Sequence, residues 1–111
     1  MKTFCLALDL KDDPALIAEY RHYHEPGVIW PEVIENMREQ GVLSEEIFLL
    51  GTRMVMVLNT VDDFSFEAKA AVDKADPKMQ AWEELMWRFQ QAIPQAKPGE
   101  KWVLMEKIFE A

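Results

Sequence analysis

The chain has 111 residues, half of them apolar, with 20 acidic against 12 basic side chains and a formal net charge of −8. That length fits a single domain over 1–111, and an acidic chain without a Lys/Arg cluster excludes nucleic acid and anionic membrane surfaces as partners. One cysteine, Cys5, excludes an intrachain disulfide framework and a clustered Cys/His zinc site.

No run of 18 apolar residues occurs, and the stretch Phe4–Leu8 ahead of Asp9 is too short for a signal-peptide core. A cytoplasmic protein is therefore expected. Residues 3–10 read as a strand, with Phe4, Leu6, Leu8 and Leu10 alternating with smaller or polar partners. Cys5 lies inside this run and is expected to be a small core residue rather than a reactive thiolate. Asp13 then supplies a helix N-cap and Pro14 the first helical position. The apolar stripe Leu16, Ile17, Tyr20, Tyr23, His24 has the spacing of one helical face. Glu25-Pro26-Gly27 breaks it. A second helical piece starts near Pro31, turns Val33, Ile34 and Met37 inward and ends at Gly41 as a left-handed cap.

Two strands, 45–50 and 53–60, are joined by a hairpin turn at Gly51-Thr52. The second, carrying Met54 to Leu58, is apolar on both faces. Asp62 or Asp63 caps a short helix over 65–74. Asp76-Pro77 opens a long helix that presents Met79, Trp82, Met86, Phe89 and Ile93 at intervals of three and four. Residues 94–99 form a loop and 101–109 a closing strand. The order β-α-β-β-α-β is the ferredoxin-like split pattern of an α+β fold, with helices over one face of an antiparallel sheet. The two-sided strand needs a second cover. Either two sheets pack face to face in a homodimer, or the chain's own loops or an apolar pocket take that face.

Only two histidines exist. They are two residues apart, so a helix sends them in different directions. His24 continues the buried stripe; His22 falls off it and is expected in solvent. His24 reads either as a hydrogen-bonded helix-end residue or as an acid/base group, since imidazole alone among ordinary side chains titrates near neutrality. Tyr20 reads as packing or as a polar handle in a cavity. Trp82, Trp87 and Trp102 read as core and Trp30 as an aromatic plug at a helix entry, while a tryptophan near His24 would also serve as a platform for the apolar side of a sugar ring. No phosphate loop, nucleophile elbow, dinucleotide fingerprint or metal motif is present.

The run Glu19-Tyr20-Arg21-His22-Tyr23-His24, followed by Ile29-Trp30-Pro31-Glu32, resembles the signature of the L-rhamnose mutarotase family. The opening strand, the Trp82 helix after Asp76-Pro77 and the closing Met105–Phe109 segment extend the resemblance over almost the whole chain. It implies a dimeric α/β barrel of two ferredoxin-like protomers, a sugar substrate and no cofactor or metal. By the same resemblance, His24 and Tyr20 are the catalytic pair, with the histidine as acid/base, and Trp82 contacts the sugar. The chain departs from the rhamnose pattern in three places. The interval from His24 to Trp30 is longer, Glu83 stands where a second tryptophan follows the first, and Glu45 stands where a tyrosine opens the second strand. Gly51–Met56 and Trp82–Trp87 look closer to the branch linked with L-fucose.

Mutarotation needs a proton taken from the anomeric hydroxyl and one given to the ring oxygen. The expected enzyme therefore interconverts α and β anomers of L-rhamnose or L-fucose by proton transfer and positioning alone. His24 acts as principal acid/base, Tyr20 orients the sugar or relays a proton, and Trp82 and Trp30 supply aromatic contact. Glu83 and Glu45 hydrogen-bond sugar hydroxyls, and Glu32 caps the second helix or orients His24. Two other readings share the fold: a non-catalytic small-metabolite-binding module, and a cofactor-free oxygenase of aromatic substrates.

Overall fold

The computed structural model describes all 111 residues. In chain order the elements are β1 (Lys2–Leu10), α1 (Pro14–Tyr23), α2 (Pro31–Glu39), β2 (Val42–Leu50) and β3 (Arg53–Thr60). They are followed by α3 (Phe66–Ala75), α4 (Pro77–Trp87), β4 (Gln90–Gln91) and β5 (Val103–Leu104). The sheet is antiparallel in the order β2-β3-β1-β4, and β5 also pairs with β1. Because β3 occupies one edge of β1, β4 and β5 share the other. Gln90 and Gln91 pair with Leu10 and Asp9, and Val103 and Leu104 pair with Ala7 and Leu6. The fold is the expected ferredoxin-like α+β arrangement with its last strand split by residues 92–102.

Local chemistry starts three of the helices. Asp13 Oδ1 accepts the amides of Ala15 at 2.9 Å and Leu16 at 3.3 Å, and Asp76 Oδ1 accepts those of Lys78 at 2.9 Å and Met79 at 3.4 Å. Each aspartate precedes a proline at the first helical position, where the missing N–H costs nothing. The cap of α3 is Ser65, whose hydroxyl accepts the amide of Ala68, and not Asp62 or Asp63. Asp62 instead pairs with the N-terminal ammonium, and Phe64 turns inward between the acidic pair and the cap.

Three further expectations are corrected. The helix after Asp76 ends at Trp87, because amides of Arg88 and Phe89 bond back to Leu85 and Met86 and tighten the last turn. Phe89 and Ile93 are buried all the same, reached through that turn and β4. The closing strand is only Val103–Leu104, and residues 105–111 carry Ile108 and Phe109 almost fully exposed. β2 starts at Val42 and not Glu45, with an irregularity between Val42 and Ser44.

The register fixes which side chains meet. Leu8 opposes Met54, Leu6 opposes Met56 and Phe4 opposes Leu58, all on the helix-covered face. Leu8, Leu10, Met54, Trp82, Met86 and Phe89 form the heart of the larger core cluster. Leu6, Val42, Leu58 and Phe64 make a smaller one at the other end. Cys5 belongs to neither: alternation puts it on the opposite face with Ala7, Val55 and Val57, half-buried. No helix is long and apolar enough to cross a membrane.

The turn between β2 and β3 has Gly51 at φ +61, the positive value a II′-type hairpin asks of its first central residue. Gly41, at φ +88, is more tightly held. It ends α2 and lies beside Val61, where an added Cβ would fall 2.7 Å from the Val61 Cγ2. Gly41→Ala should therefore lower stability by about 1–3 kcal/mol, read as a lower urea midpoint. Gly51→Ala, strained in φ but meeting no atom within 4 Å, should lose less.

Candidate active site

α1 delivers two functional groups one turn apart. Tyr20 is buried in the inward stripe, and His24 occupies the C-cap, where the helix ends and its side chain clears the next turn. The His24 Nδ1 lies 2.7 Å from the Tyr20 carbonyl oxygen. A carbonyl only accepts, so Nδ1 carries the proton and donates it, and Nε2 is left with a free lone pair. The Tyr20 and His24 rings are 4.4 Å apart. Trp82, from α4, meets His24 edge-on at 5.6 Å. His22 lies on the solvent side, 3.4 Å from the Glu25 carboxylate.

Two adjoining hollows, of about 340 and about 670 Å³, share Tyr20, His24, Glu45, Met37 and Ile47 as common wall. The smaller one runs between sheet and helices and adds Trp82, Glu83, Gln90, Lys101 and Trp102. Trp30 lines neither. It stands behind Trp82 at 5.1 Å, with the Lys78 ammonium 4.5 Å over its ring. Trp87 is on the surface, beneath the Lys101 ammonium at 4.9 Å. Glu32 is exposed in the first turn of α2, whose N-cap, Trp30, makes no side-chain capping bond.

Burial sets the protonation of the pair. It lowers the His24 pKa below its usual 6.5, with the Tyr20 carbonyl pulling weakly the other way, so the ring is neutral at physiological pH. Burial pushes the Tyr20 phenol up to about 12; its contact with Gln90 opposes this, and the charges of Glu45 and Glu83 add to it. The phenol is therefore a proton-bearing donor. Glu45 is an exposed residue whose cavity side is stripped of water. That raises its carboxyl, with Lys69 lowering and Glu83 raising it further. Glu83 accepts from Lys101 at 2.8 Å, and burial lowers the Lys101 pKa against that pull.

Sequence reasoning brought Tyr20, His24, Trp82, Glu83 and Glu45 to one cavity, and they do meet there. It missed Gln90, whose Nε2 donates to the Tyr20 hydroxyl at 3.4 Å from a residue only 4 % exposed. Nothing in a Gln-Gln pair after a helical stripe signals a strand that enters a cavity wall. It also missed a polar knot at the far end. Lys69 Nζ donates to Asn36 at 3.0 Å and to Asp73 at 2.6 Å, and Asn36 Nδ2 donates to Asp73 at 2.9 Å. That signal was legible: Asn36 falls three residues after Val33 on the buried stripe, and Lys69 and Asp73 are an i, i+4 pair.

The family model for L-rhamnose mutarotase matches residues 3–111. An L-fucose mutarotase of Xanthomonas campestris pv. campestris is 49 % identical over 109 residues, covering 98 % of this chain and 87 % of the relative. A UPF0734 protein of Dictyostelium discoideum is 36 % identical over 115 residues, covering 98 % and 89 %. Among solved structures, an L-rhamnose mutarotase from Formosa agariphila superposes with a TM-score of 0.69 at 15 % identity, over 100 % of this chain and 99 % of that one. Tetracenomycin F2 cyclase from Streptomyces glaucescens gives 0.67 at 16 %, over 100 % and 97 %. At such identities the two superpositions speak for the fold alone.

Proposed function

This chain belongs to the L-rhamnose mutarotase family, and from that premise we propose that it interconverts the α and β anomers of a 6-deoxyhexose, L-fucose first and L-rhamnose second. The order of the sugars rests on the 49 % identical L-fucose mutarotase and on Glu45 and Glu83, both at the cavity. The observation that carries the activity is the position of the His24 imidazole, its Nδ1 tied to a backbone carbonyl and its Nε2 left without a partner on a ring that lines both hollows.

The chemistry follows from those protonation states. His24 Nε2 takes the proton of the anomeric hydroxyl as the bond from C1 to the ring oxygen breaks. The departing alkoxide is more basic than a phenolate, so Tyr20 gives it a proton. The open-chain aldehyde turns about C1–C2. Closure then runs both transfers backwards on the other face of the carbonyl: the ring oxygen returns its proton to Tyr20, and His24 returns the other to the new anomeric oxygen. No atoms are gained or lost. Trp82 offers an aromatic wall to the apolar face of the ring, and Trp30 acts through Trp82 by fixing its angle. Glu45 and Glu83 accept from sugar hydroxyls at the cavity mouth.

The second cover of the sheet is, in this proposal, another copy of the chain. The helix-free face gathers Ala7, Phe48, Leu50, Val55, Val57 and Val103, with Phe48 58 % and Leu50 85 % exposed. A lone protomer exposes 7549 Å², against roughly 6,300 Å² for a folded monomer of this mass by size scaling. A face-to-face dimer would cover that surplus.

Three outcomes check these assignments. His24→Ala should lower enzymatic anomer exchange about 10²–10⁴-fold in saturation-transfer NMR on L-fucose while leaving the far-ultraviolet circular dichroism unchanged; undiminished exchange would remove His24 from the mechanism. The pH profile of kcat/KM, corrected for buffer exchange, should fall on the acid side with an apparent pKa below 6.5, because a base must lose its proton to act. It should then stay level through pH 10, since the phenol keeps its proton to about 12; an acid limb above 6.5 contradicts the burial of the ring. Sedimentation velocity should give a dimer for the unaltered chain and a monomer for Val57→Lys, and a monomer for both refutes the sheet-to-sheet contact.

A further inference from the structure

Glu83 and Lys101 form an unequal pair. The Glu83 side chain is 48 % exposed, while that of Lys101 is only 12 % exposed, and both line the smaller hollow with Tyr20, His24 and Trp82. The ammonium touches Glu83 twice. It donates to the Glu83 backbone carbonyl at 2.9 Å and lies 2.8 Å from Glu83 Oε2. The face of Trp87 covers it further, 4.9 Å away. Glu83 Oε1 has no partner in the protein. Stability is a poor reason for this arrangement. Burial works against the lysine's charge and lowers its pKa, with the carboxylate pulling the other way. An ion pair with one member so open to water contributes little to folding, and a cation that favours the end of α4 could sit in solvent. What the two contacts do fix is direction. One ammonium bonded to both the carbonyl and the carboxylate of Glu83 closes a ring through that side chain, removing the wide rotamer freedom a glutamate otherwise has. With Oε2 held, Oε1 is left as an acceptor in a set position.

We infer that Lys101 is a positioning residue: it holds Glu83 so that Oε1 accepts from a ring hydroxyl of the sugar. The inference rests on the mutarotase reading and deepens it. A short series of contacts ties the ion pair to the proposed catalytic pair. The His24 ring is 5.6 Å from that of Trp82, Glu83 follows Trp82 in α4, and Lys101 lies on Glu83. A sugar seated against Trp82 with its anomeric end at His24 is therefore bordered by Glu83. Every sugar hydroxyl can donate, whereas a carboxylate oxygen only accepts, so the match needs no particular tautomer or flip. A group fixed before the ligand arrives loses less freedom on binding, which is how a residue that never touches the sugar raises affinity for it. Residues 92–102 interrupt the last strand between β4 and β5. The insertion that divides the strand is also what carries Lys101 to α4.

The test is a double-mutant cycle. Anomer exchange is measured against concentration of L-fucose, or of L-rhamnose where that exchanges faster, for the unaltered protein, Glu83→Ala, Lys101→Met and the double variant. Methionine keeps the buried stem of Lys101 and removes the ammonium. Glu83→Ala should raise KM about 10- to 100-fold, as loss of a hydrogen bond to a charged group does. Lys101→Met should raise KM about 3- to 10-fold with kcat within about twofold, because the carboxylate is still present but no longer held. The double variant should match Glu83→Ala within about twofold, since Lys101 has nothing left to position. A merely structural tie behaves otherwise. Its loss would leave KM unmoved, or would multiply the effect of Glu83→Ala, and either result overturns the inference, as does an unchanged KM in Glu83→Ala. If Lys101→Met does not fold, Lys101→Gln is judged by the same criteria; if neither folds, Lys101 serves the fold and the inference falls. No exchange by the unaltered protein on either sugar strikes the mutarotase reading itself, whereas exchange that is indifferent to Lys101 strikes only its positioning role.

Discussion

The hydrogen bond from His24 Nδ1 to the carbonyl of Tyr20 is the contact on which the site depends. It uses a carbonyl that a helix end leaves without an amide partner. One bond therefore satisfies the backbone, chooses the tautomer and orients the ring. It works only because α1 stops at Tyr23; continued helix would have claimed the same carbonyl. The stop is written in Glu25-Pro26-Gly27, with Gly27 at φ +82. The helix is in turn started by Asp13 and Pro14, so its two ends place Tyr20 on the buried stripe and His24 at its open margin.

The sheet supplies what the helix cannot. A single antiparallel layer divides the molecule into a helix-covered face, where Met54, Met56 and Leu58 meet β1, and an uncovered one of Val55, Val57 and their neighbours. Helices over one face leave the cavity between layers, and its floor is the same sheet that binds the core. β4 is only two residues long, yet it anchors Gln90 beneath Tyr20, so the cavity wall is coupled to the edge of the central strand. A short strand suffices, because pairing at Leu10 and Asp9 fixes backbone direction and leaves the following residues to leave the sheet.

Much of this was readable from the sequence. Asp-Pro caps, the stripe from Leu16 to His24, the Gly51-Thr52 hairpin and the two-faced β3 all follow from short-range rules, and all stand in the structure. The failures share one cause. Phe89 and Ile93 keep helical spacing after the helix has ended, because burial selects their identity and is blind to the backbone that brings them inward. Cys5 was assigned to the core because alternation says which residues share a face but not which face is covered. Residues 105–109 are a strand by composition, but the ladder with β1 holds only Val103 and Leu104 and closes on the bond from the Met105 amide to the Cys5 carbonyl. Gln90 has no pattern at all. Its part in the cavity comes from a contact 70 positions away in sequence, which local periodicity does not register.

The charges around the cavity explain what kind of ligand it accepts. The proposed catalytic pair and Gln90 are uncharged at neutral pH: a neutral imidazole, a protonated phenol and a carboxamide. Both cations in the wall of the smaller hollow are already matched, Lys101 by Glu83 and Lys69 by Asp73. Glu45 and Glu83 add negative charge near Tyr20, and the chain carries −8 overall. A sugar phosphate entering the smaller hollow would meet Glu83 and Glu45 and find no free cation there, whereas a neutral sugar exchanges its water for hydrogen bonds without bringing a charge out of solvent. The same balance suits the reaction. Anomer exchange starts and ends neutral, and in the proposed mechanism its transient charge arises between His24 and Tyr20, two groups that would exchange protons without a buried counter-ion having to move.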